Sequence, residues 1–304
     1  MLLVLEQVLN GLQLGVMLFL LAAGLTLVLG IMNLVNLAHG SLYMIGAFVA
    51  AGVIRLTDSF LLGLLAALPA AALVGMAVEV IALRRLYTRQ HLDQVLATFG
   101  LILFFNELVR ILWGPRALFM DVPHWLSGTV EIVPGAPYPA FRLAIIVVGG
   151  AVAGFLYWLV RRTRLGMLIR AGASNREMVG ALGVDIKRLY TLVFGLGAML
   201  AALAGVMAGP IYAVEVGMGE PVLIVAFVVV VIGGIGSVRG ALVGALLVGL
   251  VDTLGRAFLP TLFRAFLAPD TADGLGAALA SMAIYVLMAA VLAWRPRGLF
   301  PAHG

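Results

Sequence analysis

Polar side chains that could handle a solute interrupt apolar sequence at residues 33–41. Asn33, Asn36, His39 and Ser41 lie there, next to Gly40. Amide, imidazole and hydroxyl groups that are buried in a membrane need partners, and they mark solute or ion pathways. We therefore predict that this interruption lines a pathway. The alternative is an ordinary turn at the membrane surface.

A second interruption, residues 209–221, combines prolines and glycines with Tyr212 and Glu215. Each interruption follows a long apolar run and precedes a short one. The basic residues described below send the run before residue 33 and the run before residue 209 across the membrane in opposite directions. Opposed breaks indicate an inverted repeat, and such breaks often line the path of a transporter. An interfacial turn is an equally good interpretation of this second interruption.

A glycine-rich stretch lies at residues 233–240, but its spacing does not fit a cofactor site. Gly234-Ile235-Gly236 lacks the third glycine of the G-x-G-x-x-G dinucleotide fingerprint. Gly236, Gly240 and Gly244 are spaced by four residues, which predicts close packing of helices. We therefore expect no cofactor in this chain.

The residues that ATP hydrolysis, metal binding and covalent catalysis require are not arranged for those tasks. The single lysine, Lys187, follows Ile186 instead of glycine, which excludes a P-loop. The four histidines match no H-E-x-x-H spacing, and the chain has no cysteine. No serine lies in a recognisable nucleophile elbow. The sequence therefore predicts no catalytic residue and no metal site, and an intramembrane hydrolase is a poor interpretation.

Acidic residues in the apolar runs are of two kinds. Glu79 and Glu215 have no obvious local partner, which makes them the better pathway candidates. Two others lie three or four residues from an arginine on the same helix face, where the two charges can neutralise each other. These pairs are Glu107 with Arg110 and Asp252 with Arg256.

Composition places all of these residues in a membrane. Of the 304 residues, 63% are hydrophobic and 11% are charged, whereas a soluble domain is about half apolar and a quarter charged. The apolar runs are continuous, which argues against a transmembrane barrel, because the strands of a barrel alternate apolar and polar residues. We predict an all-α polytopic membrane protein, one domain over residues 1–304, with about eight to ten transmembrane or re-entrant helices. Nine candidate segments lie at about 5–31, 39–55, 60–83, 92–112, 141–160, 189–209, 221–235, 240–258 and 275–294.

The basic residues set the orientation of these segments. They cluster in residues 84–91, 161–188 and 295–297, and the positive-inside rule places such stretches in the cytoplasm. The N-terminus is then outside, residues 113–139 form an external loop, and the C-terminus is cytoplasmic. The net charge of +5 comes from cations at segment ends, so we expect no nucleic-acid partner.

The cytoplasmic loop, residues 161–188, contains the signals of a short helix. Ser174 or Asn175 can cap its start, Glu177 lies in its first turn, and Gly183 ends it. A helix of about two turns between two membrane spans is suited to hold another subunit. The alternative is a basic helix that lies on anionic lipid.

Four blocks, in order from residue 10 to residue 300, resemble one known family. They are Gly24 to Gly30 with Asn36-Leu-Ala-His-Gly40, Ala97-Thr98-Phe-Gly-Leu101, Thr163-Arg-Leu-Gly166 through Leu182-Gly183-Val184, and Gly233-Gly-Ile-Gly236-Ser237 with Arg295-Pro-Arg-Gly-Leu-Phe300. The chain resembles the shorter permease subunit of bacterial branched-chain amino acid ABC importers. It departs from the pattern at Leu37, where the family often has phenylalanine, and at Ser41, where it commonly has an acidic residue.

The resemblance implies partners and residue roles. It implies a bacterial inner-membrane complex with a second homologous permease, two cytoplasmic ATPases that bind the ATP and magnesium, a periplasmic substrate-binding protein and surrounding membrane lipid. The translocation pathway is expected to include Asn33, Asn36, His39, Gly40, Ser41, Tyr43, Thr98, Tyr212, Glu215, Gly233, Gly234 and Gly236. The ATPase-coupling residues are expected to be Arg170, Ser174, Asn175, Arg176, Glu177, Leu182 and Gly183.

The sequence thus predicts a transport subunit, and not an enzyme, for branched-chain or related amino acids. A permease for urea, amides or aromatic and short carboxylates is the alternative within the same family. An ion-coupled secondary transporter is the alternative from another class. Such transporters place acidic residues in mid-span, whereas the acidic residues here lie mostly near segment ends.

Overall fold

A computed structural model describes residues 2–133 and 135–300, and most of them are helical. Eight helices in this part of the chain are long and apolar enough to cross a membrane, and α9 is a shorter apolar helix. The all-α polytopic prediction is therefore confirmed. The helices are α1 (Leu2–Met32), α2 (His39–Thr57), α3 (Phe60–Ile81), α4 (His91–Trp113), α5 (Ala140–Arg162), α6 (Arg164–Ser174), α7 (Arg176–Ala181), α8 (Ile186–Ala208), α9 (Gly219–Gly233), α10 (Val238–Phe263) and α11 (Pro269–Trp294).

Two elements were not predicted from the sequence: a β-hairpin in the 113–139 segment and an additional helix in the 161–188 segment. The 113–139 segment, predicted to be an external loop, contains a hairpin of β1 (Thr129–Val133) and β2 (Ala136–Pro139). The loop 161–188 contains α6 in addition to the predicted short helix. Thr163 separates α6 from α5, because its backbone is extended and its hydroxyl accepts a hydrogen bond from the amide of Gly166 at 3.1 Å. This side-chain cap starts a new helix immediately after the previous one ends.

Helix α1 is the centre of the fold and is buried along most of its length. Small residues let its neighbours approach closely. A Cβ atom on Gly24 would lie 2.6 Å from the carbonyl oxygen of Gly197 on α8, and one on Gly15 would lie 2.9 Å from the carbonyl oxygen of Ala245 on α10. Lipid chains are as apolar as leucine, so membrane helices associate largely through this kind of close packing.

The packing of the helices repeats with inverted direction. Helices α1, α2 and α3 correspond to α8, α9 and α10. The contact of α1 with α10 has its counterpart in that of α8 with α3, and the contact of α2 with α3 has its counterpart in that of α9 with α10. Helices α1 and α8 run antiparallel, since Gly24 faces Gly197 while the carbonyl of Ile31 accepts a hydrogen bond from Tyr190 at 3.2 Å. The two corresponding helices α1 and α8, which run in opposite directions, are the helices that precede the predicted breaks. These contacts are those expected of the predicted inverted repeat.

Contacts between loops define the two ends of the bundle. At the hairpin end, Leu118 pairs with Val214, which joins the 113–139 segment to the second break. At the tail end, the amide of Leu299 donates to the carbonyl of Ile232 at 2.9 Å, which joins the C-terminal segment to α9. The 161–188 segment also lies at the tail end. This grouping matches the predicted alternation of loops, and which end faces the cytoplasm stays a prediction.

We expect Gly24→Ala to destabilise the protein, because the new Cβ would press on the Gly197 carbonyl. Overpacking of this kind lowers the free energy of unfolding by about 2 kcal/mol. Gly150→Ala is the matched control, because a Cβ there meets nothing within 4 Å and alanine favours a helix by about 1 kcal/mol. Thermal unfolding in detergent measures both variants, and equal midpoints would contradict the packing role of Gly24.

Candidate functional site

The first break begins where α1 ends in a left-handed residue. Asn33 has φ 51° and is exposed, a conformation that asparagine tolerates better than most side chains. The chain then runs back into the protein, where Asn36 is fully buried. Its side-chain oxygen accepts a hydrogen bond from the amide of Ala38 at 3.0 Å. This bond fixes the turn that starts α2 at His39.

His39 is fully buried at the crossing of α1 and α8. A Cβ on Gly24 would lie 2.9 Å from His39 Nε2. Across the described residues, five buried side-chain atoms lack a hydrogen-bond partner, and three of them are Asn36 Nδ2, His39 Nδ1 and His39 Nε2. An unpaired buried polar group costs about 1–3 kcal/mol. Their concentration at one break therefore favours a functional role over a simple turn.

The two breaks meet through the N-terminal ends of the short helices that follow them. A Cβ on Gly40 of α2 would lie 2.5 Å from the carbonyl oxygen of Gly219 on α9. Near this contact, the amide of Gly217 lies 3.3 Å from Met44 Sδ. Helix N-termini carry a partial positive charge. Two such ends side by side inside the protein can stabilise an anionic group, as broken helices do in other transporters.

The other predicted pathway residues lie in three places. Ser41 and Tyr43 are buried on α2 beside His39. Thr98 lies on α4, where its hydroxyl donates to the carbonyl of its own helix at Gln94, at 2.8 Å. Tyr212 and Glu215 are exposed on the second break. The structure therefore gathers the α2 residues, places the second break against α2, and leaves Thr98 bonded within its own helix.

Gly233, Gly234 and Gly236 lie at the tail end. The amide of Phe300 donates to the carbonyl of Gly233 at 2.9 Å, and Gly234 adopts φ 103° under the C-terminal segment. Gly236 precedes α10 and faces Gly30 of α1. These contacts give the three glycines a packing role, and their place in the pathway stays a prediction.

The predicted four-residue glycine spacing is only partly correct. Gly240 and Gly244 do pack α10 on α9, against Gly233 and the carbonyl of Val229. Gly236 does not belong to that helix face, because α10 begins at Val238. Its left-handed φ of 80° forms the turn before the helix, a conformation for which glycine is suited.

The short helix α7 forms where the sequence predicted one. Of the two candidate caps, Asn175 holds the position, and its side-chain oxygen accepts a hydrogen bond from the amide of Met178 at 2.9 Å. Glu177 lies in the first turn, and Gly183 follows the helix with φ 87°. Ser174 instead ends α6. Arg176, Glu177 and the apolar side chain of Leu182 are exposed on the surface of the tail end.

One contact between predicted sites was not foreseen from the sequence. A cleft of about 580 Å³ is lined by Asn33 of the first break and by Ser174, Asn175, Arg176 and Glu177 of the 161–188 segment. The two groups are far apart in the chain, and no local pattern indicates that they meet. The first break therefore lies directly beside the exposed helix α7.

Glu79 has partners, so the interpretation that it is free for a pathway is wrong. Its side chain is fully buried and pairs with Arg84 at 2.8 Å. The hydroxyls of Tyr87 and Thr191 donate to it at 2.8 and 2.7 Å. Arg84 reaches back because the 3-10 turn Leu83–Arg85 reverses the chain. Burial, and then the charge of Glu79, raise the pKa of Tyr87 above its usual range.

The predicted local ion pairs do form. Arg110 lies 3.0 Å from Glu107, and Arg256 lies 3.0 Å from Asp252. Both pairs lie on helices, α4 and α10, of which most residues are not buried within this chain. In the described residues, no group of three or more histidine and acidic side chains is placed to hold a metal ion.

Glu79→Gln should destabilise the protein by about 2 kcal/mol, because the charge-assisted bonds that Arg84, Tyr87 and Thr191 make to the buried carboxylate weaken. Glu107→Gln is the matched control, because it removes a carboxylate from an exposed pair worth at most about 1 kcal/mol. Thermal unfolding of the purified protein compares them. Equal losses for the two variants would show that the Glu79 cluster adds nothing to stability.

Comparison with known proteins shows to which family the chain belongs. The family described as branched-chain amino acid transport system / permease component matches residues 7–292. The high-affinity branched-chain amino acid transport system permease protein LivH of Salmonella typhimurium is 32% identical over 86% of this chain and 88% of its own, and LivH of Escherichia coli is 31% identical over the same shares. The corresponding permease protein BraD of Pseudomonas aeruginosa is 32% identical over 97% of this chain and 95% of its own. With helices that can span a membrane and a match over most of its length, the chain belongs to the family of branched-chain amino acid transport permeases and is a permease subunit of an ABC importer.

Proposed function

We propose that this subunit forms the translocation path for branched-chain or related amino acids in the inner membrane, with its tail end in the cytoplasm. The observation that carries the proposal is the position of α7. This exposed helix lies across one cleft from the first break, so a protein that grips α7 can act on the path. The likeness to LivH and BraD supports the amino acid as the solute.

The chain needs an external source of energy. It has a single lysine, Lys187, and no P-loop, so ATP must be hydrolysed by partner subunits. Helix α7 offers those partners a mixed surface, with Met178 and Leu182 58% and 77% exposed beside charged side chains. Exposed apolar side chains rimmed by charge are typical of protein contacts. We propose two ATPases at the tail end, a second permease beside the chain, and a substrate-binding protein at the hairpin end.

The geometry of the two breaks suits an amino acid. The N-termini of α2 and α9 meet at Gly40 and Gly219, and their partial positive charge suits the solute carboxylate. His39 and Asn36 offer polar atoms that are unpaired in the protein. Glu79, the fully buried acidic residue, is neutralised by Arg84 and is therefore not a free ion-coupling site. This arrangement favours ATP-driven transport over ion-coupled transport.

Uptake by the reconstituted transporter tests the proposal. Proteoliposomes with ATP inside and the binding protein outside should accumulate radiolabelled leucine, and unlabelled isoleucine and valine should compete. Urea, acetamide and benzoate serve as competitors for the alternative solutes. Strong competition by any of these, or leucine uptake by the chain alone down an ion gradient, would contradict the proposal.

Glu177→Arg and Asn175→Trp should uncouple ATP hydrolysis from uptake. Charge reversal at a protein contact costs several kcal/mol, so leucine uptake should fall about tenfold or more while the ATPase subunits still hydrolyse ATP. Asp93→Arg is the matched control, because Asp93 is an exposed acid in the first turn of α4 at the same end. Normal uptake in both α7 variants would contradict the coupling role.

A further inference from the structure

A second cleft at the tail end adjoins the cleft beside the first break, and the two share Gly30, Ile31, Ala173 and Ser174. It has a volume of about 400 Å³ and lies between α1, α5, α6 and the start of α10. Its lining includes no residue from α2, α8 or α9, the other helices of the two breaks. Phe19, Leu27, Leu156 and Leu242 make much of its wall apolar. Such a wall suits a hydrocarbon chain.

The mouth of this cleft is strongly basic. Arg161 and Arg239 flank the ring of Tyr157, with guanidinium carbons 5.0 and 5.2 Å from the ring centre. Both approach the tyrosine hydroxyl, at 3.1 and 3.4 Å. Arg170 also lines the cleft. Among the described residues, no carboxylate lies within ion-pair distance of these three arginines, so their charge is available to an anion.

A buried hydroxyl also faces the cleft. Thr26 lines it and is fully buried, and its oxygen has no hydrogen-bond partner in the described protein. Ser237 adds a second hydroxyl at the start of α10, where the helix N-terminus favours negative charge. The cleft thus combines hydroxyl groups, a positive helix end and three cations above an apolar wall.

Aromatic residues on α5 place the mouth at the membrane surface. Tyr157 and Trp158 are 47% and 54% exposed and belong to the last two turns of that helix. Exposed tyrosine and tryptophan at the end of a span are typical of the lipid headgroup region. The arginines are therefore level with lipid phosphates, and the apolar wall is level with the acyl chains.

We propose that this cleft is a binding site for an anionic membrane phospholipid, with its phosphate between Arg161 and Arg239 and an acyl chain along α1 and α5. Basic pockets between membrane helices bind anionic headgroups in this way. The proposal concerns a lipid and does not depend on which solute the transporter carries. Because Ala173 and Ser174 of α6 also line the cleft, the lipid would pack beside the segment that leads into α7.

Lipid-dependent thermal unfolding of the assembled transporter, followed by tryptophan fluorescence in detergent, tests the proposal. Dioleoylphosphatidylglycerol should raise the unfolding midpoint at much lower concentration than dioleoylphosphatidylcholine, and inorganic phosphate should have little effect. In the double variant Arg161→Gln/Arg239→Gln, the apparent affinity for phosphatidylglycerol should fall on the order of tenfold, because two headgroup cations are lost.

Two further variants distinguish loss of the lipid site from a general loss of surface charge and from misfolding. Arg85→Gln removes an exposed charge after α3 that does not line the cleft and should leave the lipid response unchanged. Ala153→Phe should fill the apolar part and weaken the response although every arginine remains. The midpoint without lipid checks that each variant folds. The proposal is overturned if phosphatidylcholine equals phosphatidylglycerol, if the double variant responds as the wild type does, or if phosphate alone reproduces the shift.

Discussion

Close approach of helix backbones around α1 is the constraint on which the rest of the structure depends. Water drives apolar surfaces together in soluble proteins, but lipid gives membrane helices no such force. Glycine and alanine therefore set how near α8 and α10 can come to α1, as at Gly24 and Gly15. This packing holds the crossing where His39 is buried. Without it, the unpaired polar groups of the first break would have no defined position.

A polar cluster around Glu79 is the second feature that holds the helices in position. Glu79 on α3 accepts a hydrogen bond from Thr191 on α8 and pairs with Arg84 after the turn. The side chain of Asp185 accepts a hydrogen bond from the amide of Arg188 at 3.1 Å and caps the start of α8. Helices α3 and α8 are thus joined at the tail end, next to α7. The segment that follows α7 therefore leads into a helix that is bonded to α3.

Hydropathy and capping residues were sufficient to predict the spans, the two breaks and α7, because these features depend on neighbouring residues. Features that depend on distant residues were not predictable. The hydrogen bond of Thr191 to Glu79 and the contact of Gly30 with Gly236 join positions far apart in the chain. Helix α6 was missed because Thr163 starts it without any apolar run. The location of Asn33 beside α7 likewise follows only from the folded chain.

The docking of residues 299 and 300 on α9 determines how that helix ends. The last carbonyls of an α-helix have no partner within the helix. At the end of α9, the carbonyls of Ile232 and Gly233 receive the amides of Leu299 and Phe300, so backbone from a distant part of the chain takes the place of water or of a capping side chain. Because these bonds join main-chain atoms, a change of side chain at position 299 or 300 leaves both acceptors satisfied as long as the segment keeps its path.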